Sequence, residues 1–173
     1  MGCGQGRNLI WLAGQGVDMH GFDFSPVAIA EARLRAERAG IAGAHFKVQD
    51  ATRAWEYAPD HFDFAIDCFA STDIESPEGR AFAISEFHRV LKPGGYLLAY
   101  LLSTDDVFHK EMIMKYPASE RNAFHHPTGK FEKTFDEGEL RDIYKDFRPV
   151  KWERLEKTTL FDGKEYACKH FWL

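Results

Sequence analysis

The apolar positions along the chain switch repeatedly between helical and strand spacing. Leu9, Ile10, Leu12 and Ala13 crowd a short stretch that Gly14 and Gly16 stop, which predicts a helix over 7–13. Residues 17–24 (VDMHGFDF) read as a strand. Ser25 then offers a helix N-cap and Pro26 a first helical position, so a helix is predicted through EARLRAER to Gly40. Residues 45–49 and the largely apolar 62–70 (FDFAIDCFA) read as two further strands. Ala83, Ile84, Phe87, Val90 and Leu91 recur as one buried helix face, which the KPGG segment ends. The run YLLAYLL over 96–102 suits a strand covered on both faces.

Beyond it the pattern fades. Residues 103–135, with MIMKYP and NAFHHPTGK, are expected to be irregular, and a connection of that length in a compact domain points to a lid or binding loop. Leu140, Ile143, Tyr144 and Phe147 mark another amphipathic helix. The last strands are predicted to turn at Asp162-Gly163, with Tyr166, Cys168, His170 and Trp172 on one face. The alternation of helix and strand, without repeats or a linker, implies one α/β domain over 1–173: a mostly parallel sheet with helices on both faces and a C-terminal antiparallel hairpin.

Composition narrows the function classes. The 173 residues are 45% hydrophobic and 14% aromatic, which excludes a disordered chain. No apolar run approaches the ~20 residues of a membrane span. A net charge of −5 argues against nucleic-acid backbones as partners. Cys3, Cys68 and Cys168 are scattered and lack a CxxC pair, so neither a disulfide scaffold nor a zinc site is expected. With no basic-then-apolar leader visible, the expected location is the cytoplasm.

The candidate chemistry begins at Gly2-Cys3-Gly4-Gln5-Gly6, directly before a helix. Glycines let a backbone approach a ligand closely, and amides at a helix start favour an anionic group. Asp23 ends the next predicted strand and Asp50, beside Ala51, ends the one after. In an open α/β sheet ligands bind outside those strand ends, and an acid at the position of Asp23 would face ribose hydroxyls. Singly, each is also an ordinary turn or cap residue; in this order they describe an adenosine-type site. A dinucleotide site wants G-x-G-x-x-G, whereas Arg7 and Leu9 occupy the positions where its third glycine would fall, which disfavours NAD and FAD.

Taken together, the sequence resembles the class I S-adenosylmethionine-dependent methyltransferases. GCGQGRN looks like their first motif, HGFDFSPVAIAEAR like their second strand and helix, QDA like the adenine-contacting segment, FDFAIDCFAS like the fourth-strand motif and HRVLKPGGYLLAYL like the fifth. The remainder is similar, more loosely, to the small-molecule branch that includes tellurite-resistance and thiopurine methyltransferases. The resemblance implies a Rossmann-like fold and S-adenosylmethionine as cofactor, leaving S-adenosylhomocysteine as product. Gly2, Gly4 and Gly6 would meet the methionine portion, Asp23 both ribose hydroxyls and Phe24 the adenine face. Asp50 would take the adenine amino group with the Ala51 amide on the ring, and Asp67 and Phe69 would border the sulfonium. For Phe24 and Phe69 the alternative is core packing; for Asp67, a carboxylate in an apolar strand, some partner is required.

A sulfonium methyl is already activated, so holding nucleophile and methyl in line matters more than a general base. Candidate bases are Asp67, His125, His126, Tyr116 and Asp73, the loop residues among them being equally readable as solvated side chains. No metal ligand set is expected: His125-His126 lack a spaced third ligand, and His20 and His88 read as packing residues. Members of the family carry a central strand before the glycine motif. Its counterpart is not found here, which would leave two strand edges unpaired, and a homodimer or strand exchange is the expected compensation. The expected function is methyl transfer to a small-molecule acceptor, with no nucleic-acid or membrane partner. The alternative is a shortened or degenerate relative that folds and associates without catalysis.

Overall fold

A computed structural model describes residues 1–173 except Asp162 and the side chains of Thr159 and Phe161. The chain divides into two compact units, Met1–Glu56 and Tyr57–Leu173.

The first unit runs α1 (Arg7–Gly14), β1 (Met19–Asp23), α2 (Pro26–Arg38) and β2 (Ala44–Val48). Gly6 stands at the N-cap of α1 with φ 79°, a left-handed conformation that a side chain would strain. The Ser25 hydroxyl accepts the Ala28 amide at 3.2 Å and Pro26 follows it, so α2 starts where its sequence says. β1 and β2 pair in parallel, with His20 opposite His45 and Asp23 opposite Val48. Leu9, Ala13, Phe22, Ile29, Ala32, Ala36 and Trp55 are buried, and Trp55 meets the Phe22 ring edge-on at 4.9 Å. Close approach of α1 to β1 depends on Gly21. A Cβ there would lie 2.2 Å from Leu9 Cδ1 and 2.9 Å from Cys3 Cβ.

The second unit contains β3 (Phe62–Cys68), α3 (Pro77–Val90), β4 (Leu91–Leu102), α4 (Val107–Lys115), β5 (Ala123–His125), β6 (Phe131–Lys133), α5 (Glu137–Ile143), β7 (Glu153–Phe161) and β8 (Lys164–Trp172). Its main sheet has the order β3-β4-β8-β7, parallel between β3 and β4 and antiparallel thereafter. Ile84, Ala99, Leu101, Phe135, Leu140, Tyr144 and Phe171 form its core. β7 and β8 form the expected terminal hairpin, although Asp162 of the expected turn lies outside the described residues.

Two expectations are corrected. β4 begins at Leu91 rather than at 96, because the KPGG segment does not leave the sheet. It makes a bulge between the pairs Phe62–Leu91 and Phe64–Tyr96. Residues 103–135 are not irregular: α4 and the β5–β6 hairpin lie within them. The hairpin strands are three residues each, too short to show alternation in sequence.

Among the described residues β1 pairs only with β2 and β3 only with β4, so each keeps one edge without a strand partner. Alongside β1 the Cys3 amide donates to the Phe22 carbonyl at 2.9 Å. No helix among the described residues is long and apolar enough to cross a membrane.

Candidate functional site

The glycine segment of the first unit is a turn held open by backbone geometry. Gly2, Gly4 and Gly6 have φ of 59°, 51° and 79°, values that only glycine adopts freely. The Gly6 amide donates to the Cys3 carbonyl at 2.9 Å, closing the turn before α1. At Gly6 a Cβ would strike the Phe46 ring at 2.9 Å, whereas at Gly4 it would meet no atom within 4 Å. The segment is therefore packed from behind and open in front.

Asp23, the last residue of β1, ties this turn to the strand end. Its Oδ2 accepts the Gly4 amide and its Oδ1 the Ser25 amide, both at 2.9 Å. Each carboxylate oxygen keeps a lone pair for a further donor. Phe24, next in sequence, is 79% exposed, an unusual position for a large apolar ring. After β2, Asp50 Oδ1 accepts both the amide and the hydroxyl of Thr52 at 2.8 Å, and the Ala51 carbonyl accepts the Trp55 indole N–H at 3.0 Å. The Gln49 amide bonds to the Asp23 carbonyl at 3.0 Å, fixing the two strand ends in register. The structure thus brings Gly2, Gly4, Gly6, Asp23, Phe24, Asp50 and Ala51 onto the strand-end loops of one small unit. Burial, with a contribution from the Asp23 charge, pushes the Cys3 thiol up to about 11, which disfavours its thiolate.

In the second unit Asp67 and Phe69 close β3. Asp67 is fully buried; its Oδ1 accepts the Ser71 amide at 3.1 Å and the Tyr144 phenol lies beside it. Burial pushes its carboxyl above the usual range. Phe69 holds φ 64°, and its ring lies 4.5 Å from that of Tyr100 and 5.3 Å from that of His170. Tyr100 and His170 are bonded, hydroxyl to Nδ1 at 2.9 Å, with Lys157 Nζ 5.9 Å from the Tyr100 ring centre. Behind them His109 stands over the buried Asp106, Nδ1 3.1 Å from Oδ1. This aromatic and histidine cluster was not among the candidates read from sequence. Its signal was the predicted shared face of β8, which placed His170 but named no partner across the sheet.

A family model described as a methyltransferase domain matches residues 1–95. The chain belongs to this methyltransferase family. Its structure is similar to that of an S-adenosylmethionine-dependent methyltransferase from Methanosarcina mazei, with 26% identity, TM-score 0.80 and coverage of 99% of this chain and 87% of that one. The fold is also that of TehB from Haemophilus influenzae, at 22% identity and TM-score 0.72, covering 99% of this chain and 54% of the other. A curated relative named Hemagglutinin 1, from Eikenella corrodens, is 30% identical over 157 residues. That match takes in 88% of this chain and 44% of the relative, so the chain spans less than half the length of that protein. The family's cofactor is S-adenosylmethionine.

Against this family background the other candidate bases lie around the β5–β6 hairpin. His125 Nε2 faces Glu75 at 3.6 Å, and its amide bonds to the Tyr116 carbonyl at 3.0 Å. Tyr116 caps the end of α4, and His126 bonds within its own turn, Nδ1 to the Thr128 hydroxyl at 3.1 Å. Asp73 pairs with Lys130 at 2.9 Å, yet burial still pushes its carboxyl up to about 6.

His170 gives the second unit a measurable pH response. Burial first, then the charges of Lys157 and His109, pulls its imidazole down to about 4. The unfolded value is about 6.5, so between the two the unfolded chain binds a proton that the folded chain refuses. That contribution is fully present above pH ~6.5 and is lost as pH falls toward ~4. Asp73, with its pKa raised, works in the opposite sense over part of the same window. Comparison with His170→Asn isolates the histidine. The wild-type urea midpoint is expected to fall more between pH 7 and 5 than that of the variant, and equal falls would remove the linkage.

Proposed function

We propose that this chain transfers the methyl group of S-adenosylmethionine to a small-molecule acceptor, holding the cofactor through the strand-end loops of its first unit. The observation that carries this reading is the Gly4 amide bonded to Asp23 Oδ2 at 2.9 Å, which fixes an open glycine turn against an ordered carboxylate. The residues fit the cofactor. The open face at Gly4 admits the methionine portion, and the free lone pairs of Asp23 suit the two ribose hydroxyls. The bare Phe24 ring offers a surface for adenine, and Asp50 with Ala51 lies at the neighbouring strand end. When bound, the cofactor supplies an activated methyl on sulfur.

Asp67 is proposed to act by position rather than contact, since its buried carboxyl holds the Ser71 amide and so shapes the turn that follows Phe69. The acidic net charge supports a small molecule over a nucleic acid.

Calorimetric titration with S-adenosylhomocysteine tests the reading. Micromolar binding at one per chain is expected, and its absence from folded protein would favour a relative that folds without catalysis.

A further inference from the structure

We propose that Asp18, His20 and His45 form a binding site for one divalent transition-metal ion of the zinc class. The parallel register of β1 and β2 sets His20 directly opposite His45, so both imidazoles leave the same face of the pair. Their ring centres are 4.7 Å apart. Asp18, two residues before His20, shares that side: its Oδ1 lies 3.0 Å from His45 Nε2 and its Oδ2 3.9 Å from His20 Nε2. One ligand atom from each residue falls within 4.8 Å of the others. Around a tetrahedral zinc, with bonds of about 2.1 Å, ligand atoms stand ~3.4 Å apart. Small rotations of the two exposed groups, Asp18 and His45, close the difference.

The donor set selects the ion. Two imidazoles and a carboxylate suit zinc, cobalt, nickel or copper, while magnesium and calcium want oxygen donors throughout. The three groups lie at the surface, with side-chain exposures of 74%, 28% and 53% in chain order, which leaves an entry path and room for a fourth ligand from water. His20, expected from sequence to be a packing residue, is instead one arm of this cluster, and the set departs from the expectation of no metal ligands. A lone strand histidine gives no such signal, because its partner comes from the next strand.

Position assigns the ion a structural task. His20 is the second residue of β1 and Asp23 its last. A rise of about 3.3 Å per residue puts the ion some 10 Å from the carboxylate proposed for ribose. The ion would join the segment before β1 to the start of β2, fastening the two strands without touching the proposed cofactor residues.

The test uses tag-free, chelator-treated full chain, titrated with zinc chloride and, separately, cobalt chloride. One ion per chain is expected, with the visible absorption of four-coordinate cobalt and a higher melting temperature in zinc. Asp18→Asn and His45→Asn are each expected to weaken zinc binding at least tenfold, while His88→Asn leaves it unchanged. Circular dichroism confirms that the variants fold, since both altered residues are exposed. Failure to bind at 100-micromolar zinc, or unchanged binding in His45→Asn, overturns the proposal.

Discussion

Replacing Asp23 with alanine is expected to weaken S-adenosylhomocysteine binding by about 2–4 kcal/mol, roughly 30- to 900-fold. Two losses combine. The acceptors proposed for the ribose hydroxyls disappear, and charge-assisted bonds of this kind are among the stronger ones. The Gly4 and Ser25 amides also lose the carboxylate that fixes them at 2.9 Å, so the glycine turn is freed from the end of β1. Asp23→Asn separates the two effects. It retains one carbonyl acceptor for either the turn or the ligand, and its loss is expected to be smaller. Calorimetric titration of wild type and both variants checks this, and unchanged affinity in Asp23→Ala would take Asp23 out of the site.

Asp106→Ala is expected to destabilise the second unit by about 3 kcal/mol. Asp106 is fully buried and caps α4, its Oδ1 accepting the His109 amide at 3.0 Å, a contribution of about 1 kcal/mol. Its Oδ2 accepts the Lys169 amide of β8 at 2.7 Å, and the His109 ring nitrogen faces it as well. Alanine leaves that partly buried strand amide without its acceptor and removes the charge that faces the buried His109 ring, which costs about 1–3 kcal/mol more. Burial alone would raise this carboxyl's pKa, but the bonds from His109 and Lys169 more than offset it and hold it well below the usual range. A depressed pKa means the stabilisation is present above the unfolded value of ~3.9 and is lost as pH falls below it. Urea unfolding at pH 7 measures the loss; a shift under 1 kcal/mol would show that α4 does not depend on this carboxylate.

Much of the first unit was legible in sequence because its signals are local. Gly2, Gly4 and Gly6 declare left-handed backbone, Ser25-Pro26 declares a helix start, and Asp23 follows a strand at a fixed place. The second unit was legible where helix or strand period ran long, as in α3 and the apolar part of β4. It was illegible where strands are very short or where structure came from non-local pairing. The β5–β6 hairpin rests on three-residue strands, and the KPGG segment stays in the sheet only because β3 runs beside it. The Tyr100–His170 and His20–His45 pairs arise from strand register, which no single stretch of sequence states. Conversely, His125, His126 and Tyr116 drew notice as residue types in a loop, and the structure places them at the β5–β6 hairpin and the end of α4, with His125 facing Glu75 and His126 bonded within its own turn.

Phe69 bears on how this protein would respond to selection. Among the described residues the other non-glycine positions with left-handed φ are Asp60 and Asn122, types that tolerate it, but phenylalanine does not. A backbone strain of about 1–2 kcal/mol is therefore carried at the end of β3 in exchange for a ring against Tyr100 and His170. A library screened for heat resistance alone would find glycine or asparagine at this position an easy gain. If Phe69 borders the sulfonium, as the family resemblance implies, the same library screened for turnover would keep the phenylalanine, and position 69 would be a place where robustness and activity pull apart.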